Sequence, residues 1–112
     1  MVDGTDTLLV FTNLPDHDAA IGLARALVDR RLAACVNVLG PATSIYRWKD
    51  AVETAREVPV LIKTRAPLYG QIEAAIRSLH SYAIPEIIAV PIDRGLPEYL
   101  DWILAETVPA AS

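Results

Sequence analysis

The stretch ACVNVLGPATSIYRWKDAVETAREVPVLIKT, residues 34–64, decides the fold. Residues 34–39 are apolar and β-branched and read as a strand. Gly40-Pro41 interrupts it, because proline cannot donate to a ladder and glycine marks a bend. Strand character resumes over residues 43–48 with Thr43, Ile45, Tyr46 and Trp48, and Lys49-Asp50 reads as a reversal. Residues 58–64, VPVLIKT, form another strand despite Pro59. Between them AVETAREV, residues 51–58, is ambiguous. Its Ala, Glu and Arg favour helix, yet eight residues between a tight turn and a strand are short for one.

The flanks supply the rest. Leu8, Leu9, Val10 and Phe11 make a short apolar run ending near Asn13, a buried strand. Pro15 opens an amphipathic helix over residues 15–31, with Ala20, Leu23, Ala24, Leu27 and Val28 at helical spacing and His17 on its solvated first turn. Pro67 opens a second helix, striped by Leu68, Ile72, Ala75, Ile76 and Leu79. Residues 82–85 break it. EIIAVPI, residues 86–92, is a last strand, and Pro97 opens a third helix. Residues 108–112 are expected to fray. The order β-α-β-β-α-β plus a C-terminal helix is the α+β, ferredoxin-like split βαβ: an antiparallel sheet with helices on one face and a long central hairpin.

That hairpin does not match its neighbours. Residues 34–48 as one bent strand span about 50 Å, whereas the first and last strands span about 20–23 Å. Half of the ribbon therefore overhangs, with Ile45, Tyr46 and Trp48 along it. A lone two-stranded ribbon is marginal in water and its edges invite pairing. A homo-oligomer is the expected solution. The alternative is that residues 51–58 are helical and cover Trp48 locally.

Composition narrows the function. The 112 residues are expected to form one domain. A net charge of −4 argues against nucleic acid, which demands clustered Lys and Arg. One cysteine excludes an internal disulfide and multi-Cys metal patterns, and points to a reducing compartment. No basic, then apolar leader is seen near the start. The longest charge-free stretch, residues 32–46, is broken by Asn37, Gly40 and Pro41 and falls short of the ~18 residues of a membrane span. The cytoplasm is the expected location. A hydrophobic content of 53% suggests that some apolar surface is hidden against a copy of the same chain. Phosphate-cradling glycine loops, G-x-S-x-G and H-E-x-x-H are absent, and His17 and His80 are the two histidines, so no catalytic residue is assigned.

Several segments, in order, resemble the CutA family of divalent-cation tolerance proteins: RLAACVNV at residues 31–38, Ser44, Tyr46 and Trp48, Glu57-Val58, IKT at residues 62–64, His80, Tyr82, Pro85 and Glu86, and YLDWI at residues 99–103. The resemblance implies a ferredoxin-like homotrimer with hairpins paired between subunits. It also implies copper or other divalent-metal tolerance, no established reaction, and an architecture similar to the PII signalling trimers. The chain departs from the family pattern at Asp50-Ala51, where a turn glycine is frequent, at Pro59, and at Phe11, where some relatives carry a second cysteine.

Two constellations carry candidate chemistry. Cys35 offers a soft thiolate suited to copper or zinc, and His80 an imidazole companion. The plain alternatives are a small core residue for Cys35 and a helix C-cap for His80. Tyr46, Trp48, Lys63, Tyr82 and Glu86 could line a pocket for a small anion or zwitterion at a subunit junction. Alternatively, Tyr46 and Trp48 pack an interface and Lys63 pairs with Glu57 or Glu86. The leading expectation is a non-enzymatic, trimeric divalent-metal protein, with copper the favoured ion. The next is a PII-like sensor of a small metabolite that signals to a partner protein. An acylphosphatase-type enzyme is disfavoured, since residues 12–15 supply neither arginine nor glycine.

Overall fold

The computed structural model describes residues 6–108. Strand β1 (Thr7–Leu14) leads into helix α1 (His17–Asp29). Then come β2 (Cys35–Val38), β3 (Ala42–Trp48) and β4 (Ala51–Arg65). A 3-10 turn (Ala66–Leu68), α2 (Tyr69–Leu79), β5 (Ile87–Pro91) and α3 (Pro97–Glu106) complete the order. The antiparallel sheet runs β2-β4-β1-β5, and β3 pairs only with β4. With β2 and β3 taken as one interrupted strand, this is the ferredoxin-like arrangement expected from the element order.

Strand β4 is the organising element. Val58–Arg65 pairs with the whole of β1, and Val60–Lys63 also pairs with β2. Ala51–Glu57 pairs with β3 alone. The second half of β4 is thus sheet and the first half is projecting ribbon. The helical alternative for residues 51–58 is overturned. Its Ala, Glu and Arg content favours helix weakly, and seven consecutive register pairs with β3 override that preference. The ribbon closes in a two-residue turn with positive φ at Lys49 (48°) and Asp50 (66°), the geometry that suits the right-handed twist of two strands.

Alternation along β4 fixes two faces. Val58, Val60, Ile62 and Thr64 point to the side covered by α1 and α2. There Val10 and Leu14 of β1 meet Ala20, Leu23 and Leu27 of α1 and Ile72, Ala75 and Ile76 of α2. The opposite face carries Leu9, Phe11, Leu61 and Lys63, with Cys35, Asn37, Ile88 and Val90 beside them in register. Part of it lies under α3, whose carbonyl end is held by two arginines. Arg65 donates to the carbonyls of Leu104 and Thr107 and to the Thr107 hydroxyl. Arg31 donates to the carbonyls of Ala105 and Glu106. Cations at this end also meet the negative end of the helix dipole.

Helix α1 starts two residues later than the proline suggests. Asp16 is the N-cap, its carboxylate accepting from the Ala19 amide at 2.8 Å, and Pro15 lies outside. The helix ends with Arg31 at φ 58°. Its amide donates to the Val28 carbonyl and that of Leu32 to the Leu27 carbonyl, the left-handed termination usually given to glycine. Helix α2 is preceded by the 3-10 turn that contains Pro67. Of the residues expected to fray, Val108 is anchored: its amide donates to the Arg31 carbonyl and its side chain packs against the core. Residues 109–112 lie outside the described residues.

Candidate functional site

The register of the ribbon places Ala42, Ser44, Tyr46 and Trp48 of β3 opposite Glu57, Ala55, Glu53 and Ala51 of β4. Directly paired residues share a face. Ser44, Tyr46, Trp48 and Glu57 therefore project to one side of the ribbon. The connection after α2 approaches from that side with Tyr82, Ala83, Ile84 and Glu86, and Asn13 closes the end of β1. Together they bound a cavity of about 630 Å³, within the size range of small-molecule sites.

Its chemistry is acidic and aromatic. Glu57 sits where β4 passes from ribbon to sheet and is 8% exposed. The Tyr82 phenol is raised above its ordinary 10.0, first by burial, then by the charge of Glu57 and its hydrogen bond, then by Tyr46. A raised phenol keeps its proton and serves the Glu57 carboxylate as a donor. Glu86 is exposed and accepts from the Asn13 side-chain amide at 3.1 Å. Neither cavity carboxylate faces a Lys or Arg nitrogen of the described residues within 4.0 Å.

The connection itself is held by His80. Its Nε2 lies 2.5 Å from the Asn13 carbonyl, and its Nδ1 accepts from the Tyr82 amide at 3.1 Å. A carbonyl only accepts, so the ring is the Nε2–H tautomer with both nitrogens engaged. The ring also stacks at a tilt on Tyr82, with centroids 4.5 Å apart. His80 thus joins the start of the connection to the end of β1, rather than bonding the last carbonyls of α2.

Of the residues expected to form a pocket, Tyr46, Trp48, Tyr82 and Glu86 meet in this cavity. Lys63 does not line it. It lies six residues beyond Glu57 on the same strand, about 20 Å away, with its Nζ over the Tyr99 ring at 5.6 Å. An ion pair of Lys63 with Glu57 or Glu86 is likewise not formed. Glu57 and Asn13 were missed as lining residues. Alternation from Tyr46 and Trp48 across the turn reaches Glu57 once residues 51–57 are read as strand.

Cys35 and His80 are not brought together within the protomer. Cys35 is level with Lys63, whereas Asn13, which His80 touches, is level with Pro59 two strands away. That separation is about 13 Å along the strands and about 10 Å across them. Cys35 points to the face away from α1 and α2, so it is not a core residue; it is half-buried, with Sγ 3.9 Å from the Asn37 side-chain oxygen. Among the described residues no three His, Cys, Asp or Glu side chains stand close enough to hold a metal ion. No helix among them is long and apolar enough to cross a membrane.

Comparison with known proteins extends the picture. The divalent-cation tolerance protein CutA of Thermus thermophilus is 41% identical over 99 residues, 88% of this chain and 96% of that protein. Mouse protein CutA is 43% identical over 83% of this chain, which spans about half (52%) of the mouse protein's length. The crystal structure of CutA from Xylella fastidiosa superposes with a TM-score of 0.89 at 45% identity, covering 92% of this chain and 99% of that one. That of Archaeoglobus fulgidus, described as periplasmic, gives 0.86 at 35% identity over 89% and 97%. The family model for the CutA1 divalent ion tolerance protein matches residues 8–106. With that span and those identities, the chain belongs to the CutA1 family of divalent ion tolerance proteins.

Proposed function

We propose that this chain is a non-enzymatic homotrimer in the cytoplasm that binds a divalent metal ion, copper by preference, in the service of cation tolerance. The observation that carries the reading is the incomplete protomer. A ribbon of seven residue pairs projects with Ile45 at 71% and Val52 at 64% exposure, and the sheet face opposite α1 and α2 leaves Ile88 and Val90 uncovered. Sister chains are the simplest cover for both. The family description supports the cation. Copper is favoured by the thiolate of Cys35, which lies on that open face, where residues of another copy can complete its coordination. His80 is the weaker ligand, because a metal on Nδ1 must displace the Tyr82 amide. The lone cysteine suits a reducing compartment. The absence of any nucleophile–base or phosphate-cradling pattern supports a binding role over a chemical one.

The test is a copper titration by calorimetry on the wild type, Cys35→Ser and His80→Ala, with sedimentation velocity on the same samples. The expected result is a trimer at micromolar concentration, copper affinity weakened at least about tenfold in Cys35→Ser, and a smaller loss in His80→Ala. A folded, stable monomer, or unchanged copper binding in both variants, refutes the reading. A second reading, a PII-like sensor that takes a small metabolite at subunit interfaces and signals to a partner protein through the ribbon, is favoured by the cavity between the ribbon and the 81–86 connection.

A further inference from the structure

The two faces of the ribbon carry opposite charge. On the side of Tyr46 and Trp48 the paired strands present Glu53 and Glu57, and Lys49 stands in the turn with its Nζ 5.9 Å from the Trp48 ring centre. The other side carries Thr43 level with Arg56, Ile45 with Thr54, and Arg47 with Val52, so its charged groups are guanidiniums. Each of these residues is exposed. Arg47 and Arg56 meet no carboxylate oxygen of the described residues within 4.0 Å, and Glu53 meets no Lys or Arg nitrogen. The charges on the two faces also share one pitch. Arg47 is level with Val52, four residues from Arg56, and Glu53 is four residues from Glu57, about 13 Å in each case. Two copies laid like face to like face set cation on cation or carboxylate on carboxylate, which repel. Basic face on acidic face brings both cations to both carboxylates in a single register.

We propose that the basic face of each ribbon seats on the acidic, aromatic face of the next, with Arg47 and Arg56 of one copy meeting Glu53 and Glu57 of the partner subunit. The inference rests on the homotrimer proposed above and names the surfaces that join its copies. Such a contact uses two different surfaces of each chain, so it closes as a ring and not as a two-fold pair. Glu57 already takes the Tyr82 hydrogen, and a carboxylate has acceptor capacity left for a guanidinium. A guanidinium also lies flat against aromatic rings, which Tyr46 and Trp48 offer. Ile45 and Val52, bare on the basic face of the protomer, are carried onto those rings by the same contact.

The experiment uses the full chain and reads its association constant by sedimentation equilibrium over a dilution series, at about 0.05 M and about 0.5 M NaCl. Three variants are compared with the wild type: Arg47→Glu/Arg56→Glu, which reverses the basic face, Glu53→Arg, which reverses the exposed charge of the acidic face, and the combination of all three substitutions. The substituted positions are exposed, and each variant is expected to keep the circular dichroism of the wild type. The expected result is a wild-type trimer that loosens in salt and association at least about tenfold weaker in each single-face reversal. The combined variant is expected to regain most of that loss. Glu53 lies on the face opposite Arg47 and Arg56 in its own ribbon, so the recovery reports a contact between copies. The inference is overturned if the wild type assembles and neither reversal weakens it, or if the combined variant associates no more tightly than its weaker parent. A two-fold dimer overturns it too. A monomeric wild type refutes the trimer and this inference together.

Discussion

Two tyrosines carry the clearest electrostatic signature in the protein. The Tyr69 phenol is raised above 10.0 by burial first, then by its hydrogen bond to Glu73 (2.9 Å) and that carboxylate's charge. Tyr82 is raised by burial and then by Glu57. Each folded-state phenol therefore keeps its proton at a pH where the unfolded chain has begun to release it. Their contribution is complete below pH 10.0 and declines as pH rises through the folded-state values. The denaturant midpoint is thus expected to hold steady up to about pH 9.5 and to fall above it, with a shallower fall in a Tyr69→Phe/Tyr82→Phe variant. Identical alkaline limbs in the two proteins refute this. Tyr82 was legible in the sequence as a site candidate because it follows a helix end in a polar connection. Its partner Glu57 was not, because a glutamate in an Ala-, Glu- and Arg-rich run looks like a solvated helix face.

At the scale of elements, the ribbon turn is where the chain meets strain. Lys49 and Asp50 both hold positive φ, a region that side chains with a Cβ enter at a cost. Asp50→Gly is expected to stabilise the protein by about 1 kcal/mol, read as a higher unfolding midpoint at matched concentration. A lower midpoint contradicts the account. Most elements were readable from apolar periodicity: the α1 stripe, the α2 stripe and VPVLIKT each follow a single period over their length. The reading stayed open at AVETAREV because that segment's strand state comes from pairing, not from its own composition. The Asp16 cap and the 3-10 turn around Pro67 shifted two helix starts by local geometry that the stripe does not encode.

On the scale of the whole molecule, the protomer is elongated, 43 × 27 × 27 Å, with its long dimension in keeping with the 15-residue β4. The overhang was legible from strand lengths alone, because rise per residue is nearly constant. Which side chains the open sheet face carries was not, since that requires register. Ile88 lies on that face, paired with Phe11, and is 55% exposed. Ile88→Glu is expected to leave the protomer folded and to shift sedimentation from the proposed trimer toward monomer, because burying an unpaired carboxylate between copies is unfavourable. An unchanged trimer excludes this face from the interface. The dual membership of β4 has a further consequence. One uninterrupted backbone serves as both spine of the hub and shaft of the arm, so a single-residue insertion or deletion near Glu57 swaps inside for outside along everything beyond it. Change in arm length is confined to steps of two residues per strand, and the reach of the ribbon beyond the sheet is quantised by the pleat.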